Sequence, residues 1–204
     1  MVLPGDLIES FDTYADSVIS DPYLGDPNGH AFGSAPSRGA TPGVKATPTE
    51  PAFLGQESWV AGGVPFDGLT GFQGAGFVNT YHLEDGWQTI LPVNEVRATG
   101  HLLTKTFTIN KPFVALLVGG SAKPYDLLGA PGQTEVTAVN LIVGGQPVAT
   151  VTGADSNTMT WHYWDVSGYQ GQQATVEIID SSTTGFILAD DLIQTSRDHL
   201  RDVS

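Results

Sequence analysis

The chain has 204 residues, with 8 Lys plus Arg against 22 Asp plus Glu, a formal charge of −14 and no cysteine. That length suits one β domain able to bury about 70% of its unfolded surface, and the lack of cysteine excludes a disulfide framework or a thiolate metal centre. The eight cations are scattered rather than clustered, which argues against nucleic acid or an anionic membrane as partner, and no apolar run reaches the length of a membrane span.

The opening MVLPGDLIESFD lacks the basic start and apolar core of a signal peptide, so an exported form is expected to be the mature one. Its short apolar stretch predicts an edge strand over residues 6–12. Residues 21–75 are rich in Gly and Pro (DPNG, SAPSRG, TPGV, GGVPFDG) and read as ordered loops. Phe32, Phe53, Trp59, Phe66 and Phe72 recur through that stretch and can anchor it to a core, which a flexible linker would not need.

Strand signals dominate from residue 76 to 195. GFVNTYHL alternates like a half-buried strand, and a polar loop with Asp85, Trp87 and Asn94 leads to a strand over GHLLTKTFTI. PFVALLVGG is nearly continuous in apolar residues and suits a strand covered on both faces. Residues 121–134 form a loop too long for a hairpin, the kind of place where binding groups sit. Four further strands follow in VTAVNLIVGG, PVATVTG, MTWHYWDV and ATVEIID, with Gly144 and Gly145 as a two-residue turn. FILADDLIQTS closes the sheet, and residues 196–204 form a tail with at most one helical turn. These short, turn-separated runs predict a single all-β domain over residues 1–204, an antiparallel sandwich.

The same residues resemble a known family, the non-catalytic β-sandwich attached to levanases, invertases and other bacterial glycoside hydrolases. The resemblance runs in order through SFD at 10–12, AFGSAPSRG at 31–39, GFVNTY at 76–81 and GHLLTKTFTI at 100–109. It continues through ALLVGGS, VNLIVGGQPVATVTG, WDVSGYQGQQATVEIID and ADDLI. Two positions depart from the family pattern: GFIL at 185–188 stands where relatives carry Trp-Gly-His-Ile, and Gly144 replaces an Asp. The resemblance implies a jelly-roll of galactose-binding type that serves as an accessory module and leaves the sugar undefined. Sandwich modules of this sort often hold a structural Ca²⁺ between first and last strands, which here implies Asp12 and Asp191 as ligands. Asp190 can stand in for Asp191, and the non-metal alternative for Asp191 is a turn cap or a pair with Arg197.

Sugar binding needs aromatic faces beside planar amides and carboxylates that satisfy hydroxyls in pairs. Asn79, Tyr81, Asp85 and Trp87 make one candidate group, whose bland reading is packing at the sandwich edge. Lys123, Tyr125 and Asp126 in the long loop make a second. Trp161 and Tyr163 share one face of their strand and Trp164 takes the other, where burial is its expected fate. The five His, at 30, 82, 101, 162 and 199, show neither zinc spacing nor a nucleophile partner. Glu84 with Asp85, and Glu135 with Asp180, are acid pairs that no motif singles out for glycoside hydrolysis. The expected function is therefore an extracellular, secreted carbohydrate-binding module that partners a glycoside hydrolase domain, with fructan as first ligand. A small glycosidase or lyase using loop carboxylates, and an assembly subunit without sugar, are the alternatives.

Overall fold

β-Branched and aromatic side chains at every second position build two antiparallel sheets whose inner faces interlock. The computed structural model describes residues 6–15, 17–20, 32, 71–74, 76–80 and 99–196. The first sheet contains β1 (Asp6–Glu9), β3 (Val78–Asn79), β6 (Phe113–Gly120), β9 (Ser156–Asp165) and β11 (Ile187–Thr195). It runs in the order β1-β11-β6-β9, with β3 also on β11. The second sheet contains β2 (Val18–Ser20), β4 (Gly100–Leu103), β5 (Phe107–Thr108), β7 (Thr137–Val143), β8 (Gln146–Thr152) and β10 (Gln173–Asp180). Its order is β2-β4-β10-β7-β8, and β5 pairs with β10. Helix among the described residues is limited to one 3₁₀ turn, Ser167–Tyr169. The fold is the all-β sandwich that the strand spacing predicts.

Alternation fixes what each strand buries. Val114, Leu116 and Val118 of β6 face Val139 and Leu141 of β7 and Val176 and Ile178 of β10 across the core. Each such side chain contributes roughly 1.5–3 kcal/mol on burial. Trp164 joins this core, whereas Trp161 and Tyr163 point to the opposite face of β9. Gly144 and Gly145 turn β7 into β8 with φ of 60° and 78°, a type I′ hairpin that side-chain-bearing residues rarely adopt. Phe32 is fully buried in the core, as an anchor of the Gly/Pro-rich region should be. Phe53, Trp59, Phe66 and the tail beyond residue 196 lie outside the described residues.

Two elements differ from the sequence expectation. The GHLLTKTFTI strand is split, because Thr104 accepts from Val176 N through its own hydroxyl at 3.0 Å and interrupts the ladder between β4 and β5. Among the described residues of GFVNTYHL, 76–80, the strand is the two-residue β3, and all five are buried rather than alternately so. The cause is a second apolar layer on the outer face of the first sheet. Phe72 and Phe77 stack there at 5.1 Å against Leu117, Met159 and Leu188.

Candidate functional site

The first and last strands, β1 and β11, lie side by side in the first sheet, and this pairing creates an acidic corner. β1 lies antiparallel to β11 with a register slip opposite Leu192 and Ile193, and the β6 pairing slips between Asp190 and Ile193. Asp191 takes a left-handed φ of 42° within the β6 slip, and Phe11, just past the end of β1, one of 53°. Gln73 N donates to Asp190 Oδ2 at 2.6 Å, Asp191 N to Asp190 Oδ1 at 2.9 Å, and Gly76 N to Asp12 Oδ1 at 2.8 Å. Gly74 sits so near that a Cβ there would meet Asp12 Oδ1 at 2.7 Å. Burial pushes the Asp190 carboxyl up to about 8 against its backbone donors, and the charges of Asp191 and Asp12 add to the rise. Burial, then the charge of Asp12, also raises Asp191.

Hard oxygen donors crowded in low dielectric suit a Ca²⁺ ion, since a cation would relieve the repulsion that burial intensifies. Among the described residues, no three His, Cys, Asp or Glu side chains converge closely enough to hold a metal by themselves. An ion here would therefore draw on Asp12 and Asp191 and complete its shell with backbone carbonyls.

The long loop, residues 121–136, is stapled to the turn between β10 and β11. Lys123 Nζ donates to Glu135 Oε2 at 2.7 Å and to Thr184 Oγ1 at 2.6 Å. Glu135 also accepts from Ser182 Oγ at 2.8 Å, Thr183 N at 3.1 Å, Thr183 Oγ1 at 2.9 Å and Thr184 Oγ1 at 3.0 Å. Lys123 and these donors hold its carboxyl well below the usual range. Gln133 closes the loop's outer half, accepting from Asp126 N at 2.8 Å and donating to Asp126 O at 2.7 Å. Leu128 is left 98% exposed at the tip.

Asp180 lies beneath this clamp and is fully buried. Desolvation raises its pKa well above the ordinary value, and the Glu135 charge adds to the rise. A neutral acid beside an ionised one is the arrangement glycoside hydrolysis exploits. Here the proton of Asp180 has no exposed surface to reach a glycosidic oxygen, and Glu135 is committed to its donors. The pair is built to hold the loop.

The sequence candidates fall in different places. Tyr125 packs on Val136, Ala138 and Ile179, at the outer face of the second sheet. Trp161 lies partly buried on the outer face of the first sheet, opposite Leu117. Lys123 is held by Glu135 and Thr184 in the clamp, and Asn79 is fully buried opposite Leu188. Tyr81, Asp85 and Trp87, with Glu84, His82, His30, His199 and Arg197, lie outside the described residues. Sequence reasoning missed the clamp of Glu135 with Ser182, Thr183 and Thr184. The only local signal was the hydroxyl run SSTT directly after β10.

Over 174 residues the chain is 30% identical to ecdE of Aspergillus rugulosus, a protein named provisionally as a glycosyl hydrolase. The alignment takes in 84% of this chain and 20% of that protein, so the chain spans about a fifth of its relative's length. No protein-family model matches the chain. Among solved structures it is similar to a family 35 carbohydrate binding module from an environmental isolate, at 10% identity and a TM-score of 0.36, covering 87% of this chain and 92% of that one. It is also similar to a cleaved adhesin domain of Lys-gingipain from Porphyromonas gingivalis, at 14% identity and a TM-score of 0.34, covering 95% and 98%. Likeness at that level assigns no function. No helix among the described residues is long and apolar enough to cross a membrane.

Proposed function

We propose that this chain is a non-catalytic carbohydrate-binding module of an extracellular glycan-processing system, associated with a glycoside hydrolase of levanase-like type and directed first to fructan. The observation that carries the reading is the 174-residue match confined to a fifth of a protein named as a hydrolase. A module-sized stretch fits an accessory role, because a sandwich positions groups rigidly without chemistry of its own.

Binding follows from shape and stacking. Aromatic side chains held against a sheet lose little entropy when a sugar ring lies on them, and neighbouring carboxylates and amides take the hydroxyls. A single site of this kind binds weakly, and a tethered or neighbouring catalytic domain raises the effective concentration. A structural Ca²⁺ held by Asp12 and Asp191 would supply the positive charge that the acidic corner lacks and tie the two ends of the chain together. Affinity electrophoresis in gels containing levan, inulin or a plant glucan, with and without chelator, tests the reading. Retardation by at least one polysaccharide is expected, and equal mobility in every gel would overturn it.

A further inference from the structure

We infer that the proton on Asp180 is the latch of the long loop: while this acid is neutral, residues 121–136 stay clamped to the turn at 181–184, and when it ionises the clamp opens. The inference goes beyond the carbohydrate-binding reading and does not depend on it.

Strand pairing puts the acid where the loop lands. Asp180 ends β10 between Gly100 of β4 and Thr137 of β7, and the residues directly after it receive the clamp. Ser182 joins the two carboxylates, giving its N–H to Asp180 Oδ1 at 3.0 Å and its hydroxyl to Glu135 Oε2 at 2.8 Å. Backbone bonds cross the same seam, from Glu135 N to Ser181 O at 3.1 Å and from Ser181 N to Val136 O at 2.8 Å. Lys123 packs its stem on Gly185, where a Cβ would meet Lys123 Cδ at 2.9 Å. Glu135 is held at a left-handed φ of 59°, a conformation that persists in a non-glycine residue only while its surroundings enforce it.

This seam accommodates one negative charge and not two. Glu135 is ionised, with Lys123, Ser182, Thr183 and Thr184 all donating to it. Asp180 is fully buried, and its Oδ2 has no hydrogen-bond partner. Thr80 faces it from the first sheet but spends its hydroxyl on Ile187 N at 2.8 Å and Ile187 O at 3.4 Å. The charged groups that face Asp180 among the described residues are Glu135 and Lys123, both from the loop; its strand neighbours Gly100 and Thr137 carry no charge. Lys123 is already neutralised by Glu135, so an anion at Asp180 would stand buried and uncompensated beside another anion. Lifting the loop relieves both costs, since it admits water to Asp180 and separates it from Glu135.

The sign follows from which form keeps the proton. With the loop lifted, Asp180 titrates in the ordinary carboxylate range; with the loop closed, burial holds it well above. The closed form is therefore fully favoured below the ordinary range, and the opening constant rises by up to about tenfold per pH unit between the two values. Glu135, held low by its donors, keeps its charge throughout that window. What the latch positions is the loop tip, where Leu127 is 39% and Leu128 98% exposed.

Hydrogen exchange of the ¹⁵N-labelled full chain between about pH 5 and about pH 8, corrected for base catalysis, reads the latch directly. The amides of Glu135, Ser181 and Thr183 should lose protection with a slope approaching about tenfold per pH unit, while core amides such as Leu116 and Ile178 keep theirs. Asp180→Asn should abolish the slope. Asp190, whose pKa is pushed up to about 8 at the corner with Asp12, is left in place by that substitution, so a slope due to Asp190 would survive it. Protection at the clamp that does not change with pH, a slope that persists in Asp180→Asn, or a parallel loss in the core amides would overturn the latch. The comparison of clamp with core amides needs no substitution, so a variant that fails to fold does not remove the test.

Discussion

Replacing Asp180 with Asn should stabilise the fold at neutral pH, by an amount that grows with pH. Asp180 is fully buried; its Oδ1 accepts from Ser182 N at 3.0 Å, and its Oδ2 has no hydrogen-bond partner. Burial raises its pKa well above the ordinary value, so the folded state keeps a proton that the unfolded chain releases near pH 3.9. The unfolded state then binds fewer protons, and stability falls by about 1.4 kcal/mol for each pH unit between the unfolded and folded values. Asn retains the acceptor for Ser182 and carries no titrating proton. The difference in stability, variant minus parent, should therefore rise as pH climbs above the ordinary carboxylate range, with a slope of at most about 1.4 kcal/mol per pH unit. Urea unfolding followed by tryptophan fluorescence at several pH values measures it. A difference that stays constant, or one that shrinks as pH rises, would refute the burial argument for Asp180.

Glu135→Gln removes the anion at the centre of the rim clamp. Because its side chain is 46% exposed, the loss in urea unfolding should be only about 0.5–1 kcal/mol and should shrink in high salt. The sign with pH is opposite to that of Asp180: its depressed pKa gives stability that is full above the ordinary carboxylate range and is lost as pH falls, so the variant and parent should converge in acid. Gly153→Ala would drive a Cβ into the Gly120 carbonyl, with both glycines fixed at the β6 and β8 strand ends, and should lower the melting temperature by several degrees. Added Ca²⁺ at 100 times its dissociation constant should stabilise the parent by about 2.7 kcal/mol in a chelated background. Asp191→Asn should abolish that gain, and an equal response in both proteins would remove the ion from this corner.

What was legible in the sequence is what depends on near neighbours. The unbroken apolar run of β6 gives its burial on both faces, the Gly144-Gly145 pair gives the hairpin, and alternation separates Trp164 from Trp161 and Tyr163. The meeting of Asp12 with Asp191 followed only from family resemblance, since the two carboxylates approach through strand pairing between opposite chain ends. Neither periodicity nor propensity encodes the Glu135 clamp, whose partner Ser182 lies 47 residues away. The same holds for the hydrogen bonds linking Asn140, Glu177 and His101, which exist only once β4, β10 and β7 pair. The split at Thr104 escaped because a hydroxyl took over a ladder position that β-propensity alone favours.

Binding without turnover is the central claim, and one preparation can test both halves of it. The purified chain is incubated with levan, inulin and plant polysaccharides, and the bound fraction and newly formed reducing ends are measured in the same tubes. Retention on at least one polysaccharide with no rise in reducing ends is expected. A rise in reducing ends that Glu135→Gln abolishes, or no retention on any polysaccharide, would contradict it.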